Sequence, residues 1–154
     1  MIGIRGYSFY HRANLAILSF LLYIIFMRLL GIDYGSKRVG IALSDEIGFF
    51  AYPYSVLKND KNLLNNIKNI CDKENVEEIV IGESLNYKKE PNAIMSEINI
   101  FKKKIEAVVK LPIHFEIETL SSAEAERVQG KNEMLDASAA ALILKSYIDK
   151  NSRG

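Results

Sequence analysis

The chain has 154 residues, which suits one domain and leaves little room for a second. Hydrophobic residues make up 49% and charged residues 25%, a balance that excludes disorder through most of the chain. The formal net charge of +1 neither requires nor excludes a nucleic-acid partner. The single cysteine, Cys71, excludes an internal disulfide and a cysteine-based zinc site, and its helical spacing among apolar residues predicts a small buried hydrophobe.

Residues 1–26 differ from the rest of the chain because they contain no acidic residue and end in the apolar run 15–26. A signal peptide, a membrane anchor and a start codon assigned upstream of the true start at Met27 are the three interpretations. No small-residue cleavage site follows the run, and the run is shorter than the ~20 residues that span a bilayer. We therefore expect an apolar extension, from an early start or else an anchor, outside a domain at residues 27–150.

Three strands open this domain. Apolar runs predict them at residues 28–34, 39–44 and 49–57. The turns between them are short, which makes the strands antiparallel neighbours. Pro53 predicts that the third strand lies at an edge of the sheet or bends there.

The rest of the domain alternates helices and strands. Amphipathic spacing predicts helices at residues 60–73, 91–108, 121–129 and 132–150, and strands at residues 77–82 and 113–118. Strands joined by helical crossovers pair in parallel. The expected fold is therefore α/β, a mixed five-stranded sheet with helices on both faces.

Four acidic residues lie where a strand ends or where the last helix begins: Asp33, Glu83, Glu118 and Asp136. Ligands of an open α/β sheet gather at the carboxyl ends of its parallel strands. An aspartate in a buried strand is costly without a partner, and a divalent cation is a natural partner for carboxylate oxygens. Two such ions support phosphodiester hydrolysis, so these four residues are the candidate catalytic set.

Each acid also has a structural interpretation. Asp33 suits a turn that accepts hydrogen bonds from the following amides. Glu83 and Glu118 suit solvated strand ends, and Asp136 suits the N-terminal turn of a helix through the helix dipole. Glu116 shares a predicted face with Glu118 and is a candidate substitute for it.

A basic turn follows Asp33 directly. It supplies backbone amides, a hydroxyl and two cations for phosphate contact, from Gly35, Ser36, Lys37 and Arg38. Two lysine clusters, at residues 88–89 and 102–104, would extend such a surface, although a solvated helix face is the default for the second.

Four segments in order resemble one known family, and together they cover most of residues 27–150. They are Leu30–Asp45 (LGIDYGSKRVGIALSD), Glu78–Asn86 (EIVIGESLN), Ile117–Ala125 (IETLSSAEA) and Leu135–Ala140 (LDASAA). The chain resembles the YqgF-type family of pre-16S rRNA nucleases, which are related to Holliday-junction resolvases and to ribonuclease H. The resemblance implies a ribonuclease H-like fold.

The resemblance also implies a cytoplasmic protein of ribosome biogenesis that trims precursor rRNA with Mg²⁺ or Mn²⁺, two ions in all. It implies metal ligation by Asp33, Glu118 and Asp136 and a substrate contact at Asn86. Nucleic acid is the implied partner, alone or in ribosomal particles, with no obligate membrane. The chain would act as a monomer or a homodimer.

This sequence departs from the family pattern at three places. The family usually has Asp-Glu-Arg where this chain has Ile117, Glu118 and Thr119. It usually has Leu-Pro after the glycine of its second motif, where this chain has Glu83 and a serine. The loop at residues 130–132 is shorter than usual.

Three alternative functions remain at the level of sequence. A Holliday-junction resolvase would use the same metal chemistry on branched DNA. A catalytically weak assembly factor would bind rRNA without cutting it. An ATP-binding actin-like or sugar-kinase fold shares a Gly-x-Asp-x-Gly loop but requires a second domain, for which this chain has no room.

Overall fold

The computed structural model describes residues 27–83, 94–117 and 133–151. All five predicted strands and three of the four predicted helices are present; the helix predicted at residues 121–129 lies outside the described residues. The elements are β1 (Arg28–Tyr34), β2 (Arg38–Ser44), β3 (Ala51–Lys58), α1 (Leu63–Glu74), β4 (Val76–Glu83), α2 (Ile94–Val109), β5 (Ile113–Ile117) and α3 (Glu133–Asn151).

The five strands form one mixed sheet in the order β3-β2-β1-β4-β5. β1 and β3 are both antiparallel to β2, while β4 is parallel to β1 and to β5. β3 is an edge strand, and Pro53 lies at a shift of its register against β2. Both parts of the prediction for Pro53 are confirmed, since a proline cannot donate to a sheet ladder and is tolerated at an edge or a bulge.

Alternation along the strands divides the core into two layers. Ile32 of β1 and Ile81 of β4 belong to the layer that contains residues of α1 and α2. Leu29 and Val80, on the same two strands, belong to the layer that contains α3. Helices therefore cover both faces of the sheet, as predicted, and the residues of β1 with odd numbers face α3.

Three glycines on neighbouring strands allow α3 to lie close to the sheet. A Cβ atom at Gly40 of β2 would meet the Asp136 carbonyl oxygen at 1.9 Å, and one at Gly31 of β1 would meet Ala140 O at 2.9 Å. A Cβ atom at Gly82 of β4 would meet Ile143 Cδ1 at 2.6 Å. The first turn of α3 thus lies on β2, and the helix then crosses β1 and β4.

Cys71 is buried in the layer under α1, with 5% of its surface exposed. Burial, with a smaller contribution from the neighbouring Asp72 carboxylate, raises the pKa of its thiol to about 12. Because the thiolate is the reactive form, this residue is an inert packing group. The prediction of a buried hydrophobe is confirmed.

Candidate metal and nucleic-acid site

Asp33 and Asp136 lie on the same face of the sheet. Asp33 pairs with Gly40 across the β1–β2 ladder, and residues directly opposite in an antiparallel pair project to the same face. The face of Gly40 is the one on which the Asp136 backbone lies. The next position along β4 beyond the Ile32–Ile81 pair is Gly82, so glycines flank Asp33 on both neighbouring strands. The absence of side chains there lets α3 bring Asp136 towards Asp33.

Arg38 joins the first turn of α3 to the start of β2. Its Nε donates to Oδ2 of Asp136 at 3.0 Å, and the two side chains are 33% and 25% exposed. Arg38 precedes Gly40 by two residues and so projects to the same face. A cation and two carboxylates therefore share this end of the sheet. This pairing could not be predicted from local sequence patterns, because it joins residues almost the whole domain apart.

The basic turn after β1 is fixed to the loop after β3. Asn59 Nδ2 donates to the Gly35 carbonyl at 2.9 Å, and the Asn59 amide donates to the Lys37 carbonyl at 3.0 Å. The side chains of Ser36 and Lys37 are exposed. With Lys58 they line an open cavity of about 520 Å³. The turn therefore presents a hydroxyl and an ammonium group beside the strand that carries Asp33.

Glu83 is the last residue of β4, at the same end of the parallel strands as Asp33. Gly82 faces Ile143 of α3, so alternation places Glu83 on the opposite face, with Ile81. The structure places Asp33, Arg38 and Asp136 on one face of the sheet and Glu83 on the opposite face.

Glu116 does not belong to this group. Its carboxylate is 5% exposed and accepts hydrogen bonds from Ser146 Oγ at 2.7 Å and from Lys150 Nζ. Ser146 lies ten residues beyond Asp136, about 15 Å along an α-helix. These contacts argue against Glu116 as a substitute for Glu118, because they hold its carboxylate in an ion pair with α3.

Several candidate residues lie outside the described residues: Asn86, Lys88, Lys89 and Glu118. Within residues 27–83, 94–117 and 133–151, no group of three or more acidic, histidine or cysteine side chains is placed to hold a metal ion. The pair Asp33 and Asp136 supplies oxygen donors, which suit Mg²⁺ or Mn²⁺. The chemistry of these donors fits such an ion, and a third ligand would have to come from another segment.

No helix in the described part of the chain is both long enough and apolar enough to cross a membrane.

The strand order and the helices on both faces define a ribonuclease H-like fold. Two solved structures agree. Thermus thermophilus RuvC in complex with a Holliday junction substrate has a TM-score of 0.56 at 14% identity and covers 82% of this chain and 96% of that chain. Another structure of RuvC from this organism has a TM-score of 0.52, also at 14% identity, and covers 81% and 97%.

The chain belongs to the RuvX family, whose model carries the description "Holliday junction resolvase" and matches residues 27–150. A protein of Syntrophomonas wolfei named "Putative pre-16S rRNA nuclease" is 36% identical over 83% of this chain and 98% of its own length. A protein of Dictyoglomus turgidum with the same name is 32% identical over 82% of this chain and 96% of its own length. The resemblance drawn from the four sequence motifs is confirmed.

Proposed function

We propose that this protein is a metal-dependent nuclease that cuts phosphodiester bonds at the ends of precursor 16S rRNA. The proposal is supported by the shared face of Asp33 and Asp136, which lie on the same side of the sheet near a basic turn. Relatives at 32–36% identity that carry the name of such a nuclease support the choice of substrate. We also propose that the protein acts in the cytoplasm, with precursor ribosomal particles as its partner.

Asp33 and Asp136 would hold Mg²⁺ or Mn²⁺, with Glu118 as the proposed third ligand. When bound, the metal supplies an activated water and a positive charge near the leaving oxygen. Glycines on both sides of Asp33 keep neighbouring side chains out of this end of the sheet. Glu83 stays a candidate for this set on sequence grounds alone, since it lies on the other face of β4.

The basic residues would hold the nucleic-acid backbone. Lys37 and Ser36 are exposed on a turn that two hydrogen bonds to Asn59 keep in place. Arg38 keeps Asp136 oriented at 3.0 Å and leaves a third of its own side chain exposed for a phosphate oxygen. Asn86 is a proposed additional contact. These groups position the phosphodiester over Asp33 and Asp136.

Resolution of Holliday junctions is the second candidate function. The description of the matching family model favours it. It would require the same carboxylates and a different nucleic-acid surface. This chain has Ile117 and Thr119 where the family usually has an acid and a cation. That replacement favours a third candidate, an rRNA-binding assembly factor with little cleavage.

The test incubates the full chain with end-labelled precursor rRNA and with a labelled four-way DNA junction, each with Mn²⁺ and with chelator. We expect metal-dependent cleavage of the RNA, and a loss of at least about 100-fold in Asp33→Asn and Asp136→Asn. Asp149→Asn is the matched control, because its carboxylate is exposed on α3 and pairs only with Lys145 among the described residues.

Three results would decide among the candidates. Cleavage of the junction alone would replace the RNA substrate with DNA. Tight RNA binding without metal-dependent cleavage would favour the assembly factor. Cleavage that survives both aspartate substitutions would overturn the site itself.

A further inference from the structure

A cleft of about 530 Å³ lies at the same end of the β-strands as Asp33, but on the other face of the sheet. It is lined by Tyr34, the last residue of β1, by the loop before α1, by the first turn of α1 and by one side of α2. The volume is within the roughly 300–1,000 Å³ usual for sites that hold small molecules. The cleft is therefore large enough for a nucleotide.

Part of the lining of the cleft is aromatic and aliphatic. The Tyr34 ring lies against Phe101, with ring centroids 4.8 Å apart and planes tilted by 36°. Phe101 is buried, with 4% of its surface exposed, so Tyr34 packs against the core on that side. Ile100, which also lines the cleft, is 55% exposed. An aromatic ring beside an exposed aliphatic side chain suits a flat heterocycle.

The rim of the cleft is basic. Lys61 and Lys104 line it, and at Asn59 and Asp60 it joins the cavity of the basic turn. That second cavity adds two further cations, Lys37 and Lys58; Arg38 also lines it but is paired with Asp136. Two acids, Asp60 and Glu97, oppose these four cations, and Asp60 Oδ1 accepts a hydrogen bond from the Asn62 amide at 2.8 Å. The combined surface is net positive and suits an anionic backbone.

Asp33 and Tyr34 are consecutive residues whose side chains project to opposite faces of the sheet. A nucleic-acid strand that crosses this end of β1 would have one phosphate on the Asp33 side of the sheet and the adjoining nucleotide on the Tyr34 side. We propose that the Tyr34 cleft binds an unpaired nucleotide next to the cleaved phosphodiester, with its base stacked on Tyr34. The inference deepens the proposed function and depends on it: the substrate would carry an unpaired end or bulge beside the cut.

The test measures binding of the full chain in chelator, where no cleavage interferes. Two fluorescein-labelled RNA hairpins of identical stem are compared by anisotropy, one blunt and one with a short unpaired tail. Stacking of a base on an aromatic side chain predicts that the tail strengthens binding roughly 5- to 100-fold. The substitution Ile100→Glu places a negative charge in the cleft without touching the core and is expected to abolish that advantage.

Leu142→Glu is the matched control, because Leu142 is 53% exposed on α3, away from the cleft. It should leave the advantage of the tail unchanged. The pair Tyr34→Leu and Tyr34→Phe adds a second measurement: the first should lose the advantage and the second should keep it. The Ile100 comparison decides the matter even where a Tyr34 substitution weakens the core.

Equal affinity of the wild type for both hairpins would overturn the inference, and so would identical behaviour of Ile100→Glu and Leu142→Glu. The proposed function is tested separately by cleavage in Mn²⁺. Metal-dependent cleavage with no effect of the tail would contradict the proposed role of the cleft and leave the proposed function standing. Failure to bind either RNA, together with failure to cleave, would contradict both proposals.

Discussion

Gly40 lies so close to the first turn of α3 that a methyl group on it would be 1.9 Å from the carbonyl oxygen of Asp136. This contact joins the strand opposite Asp33 to the helix that carries the second carboxylate. The obstacle to a side chain at Gly40 is backbone, which cannot rotate away. Gly40 therefore sets the distance between the two halves of the proposed site.

We expect Gly40→Ala to lower the free energy of unfolding by about 3 kcal/mol or more, at the upper end of overpacking effects, and to abolish cleavage. Gly82→Ala is the matched comparison. Its methyl group would meet Cδ1 of Ile143, the flexible end of a side chain, so we expect a loss of about 1 kcal/mol. Urea denaturation and cleavage rates measure both. Equal effects of the two substitutions would contradict the close contact at Gly40.

Arg38→Gln should separate metal binding from substrate binding. Removal of the cation 3.0 Å from Asp136 should tighten Mn²⁺ binding roughly two- to fivefold in calorimetric titrations, since the pair is partly exposed. Loss of a charged phosphate contact should raise KM for RNA about tenfold. Lys37→Gln is the control and should raise KM without a change in Mn²⁺ affinity. Weaker Mn²⁺ binding in Arg38→Gln would show that the arginine supports the metal site.

Glu74 should make stability depend on acid pH. Lys73 first, then the Tyr54 hydroxyl and Arg28, hold the pKa of the Glu74 carboxyl below its ordinary value of 4.5. A lowered pKa in the folded state means that the contribution to stability is present above pH 4.5 and disappears as the pH falls through the folded-state pKa. In urea titrations, the stability difference between the wild type and Glu74→Gln should be largest near neutral pH and shrink in acid.

Glu46→Gln is the control for that titration, because its carboxylate is 66% exposed and 3.5 Å from Arg28. It should change stability little at any pH. A difference for Glu74→Gln that stays constant from neutral to acid pH would argue against an ionised, paired carboxylate.

Glu116→Gln should cost stability and leave catalysis intact. The carboxylate is buried against α3 and accepts hydrogen bonds from Ser146 and Lys150, so the loss should be about 1–3 kcal/mol. Its distance from Asp136 along the helix predicts cleavage within about twofold of the wild type. Glu106→Gln, which breaks a partly exposed pair with Lys102 on α2, is the control and should cost under about 1 kcal/mol. A loss of cleavage at unchanged stability would return Glu116 to the active site.

The fold could be predicted from the sequence because each element has its own local pattern. The apolar run at residues 28–34 and the amphipathic spacing from Ile94 onward both appear in the structure within a few residues. The face of α3 on which Asp136 lies could also be predicted, since helical spacing aligns Asp136 with apolar residues that pack on the sheet.

Two features of the structure depend on tertiary packing and could not be predicted from the sequence. Alternation along β5 shows that His114 and Glu116 share a face, but not that α3 covers this face: the His114 ring lies 5.4 Å from that of Tyr147, and Glu116 is buried. The pairing of Arg38 with Asp136 depends equally on where α3 crosses the sheet. Hydrophobic periodicity and local propensity predict which face of a strand or helix a residue lies on. Which element covers that face depends on the packing of the whole chain.

The position of α3 at the far end of the domain has a consequence during protein synthesis. A nascent chain that stops before residue 133 already contains all five strands and the basic turn, yet lacks the helix that delivers Asp136. Under the proposed function, such a fragment would hold Asp33 without its partner carboxylate. Hydrolysis would then require α3 to pack against Gly31 and Gly40 of the sheet.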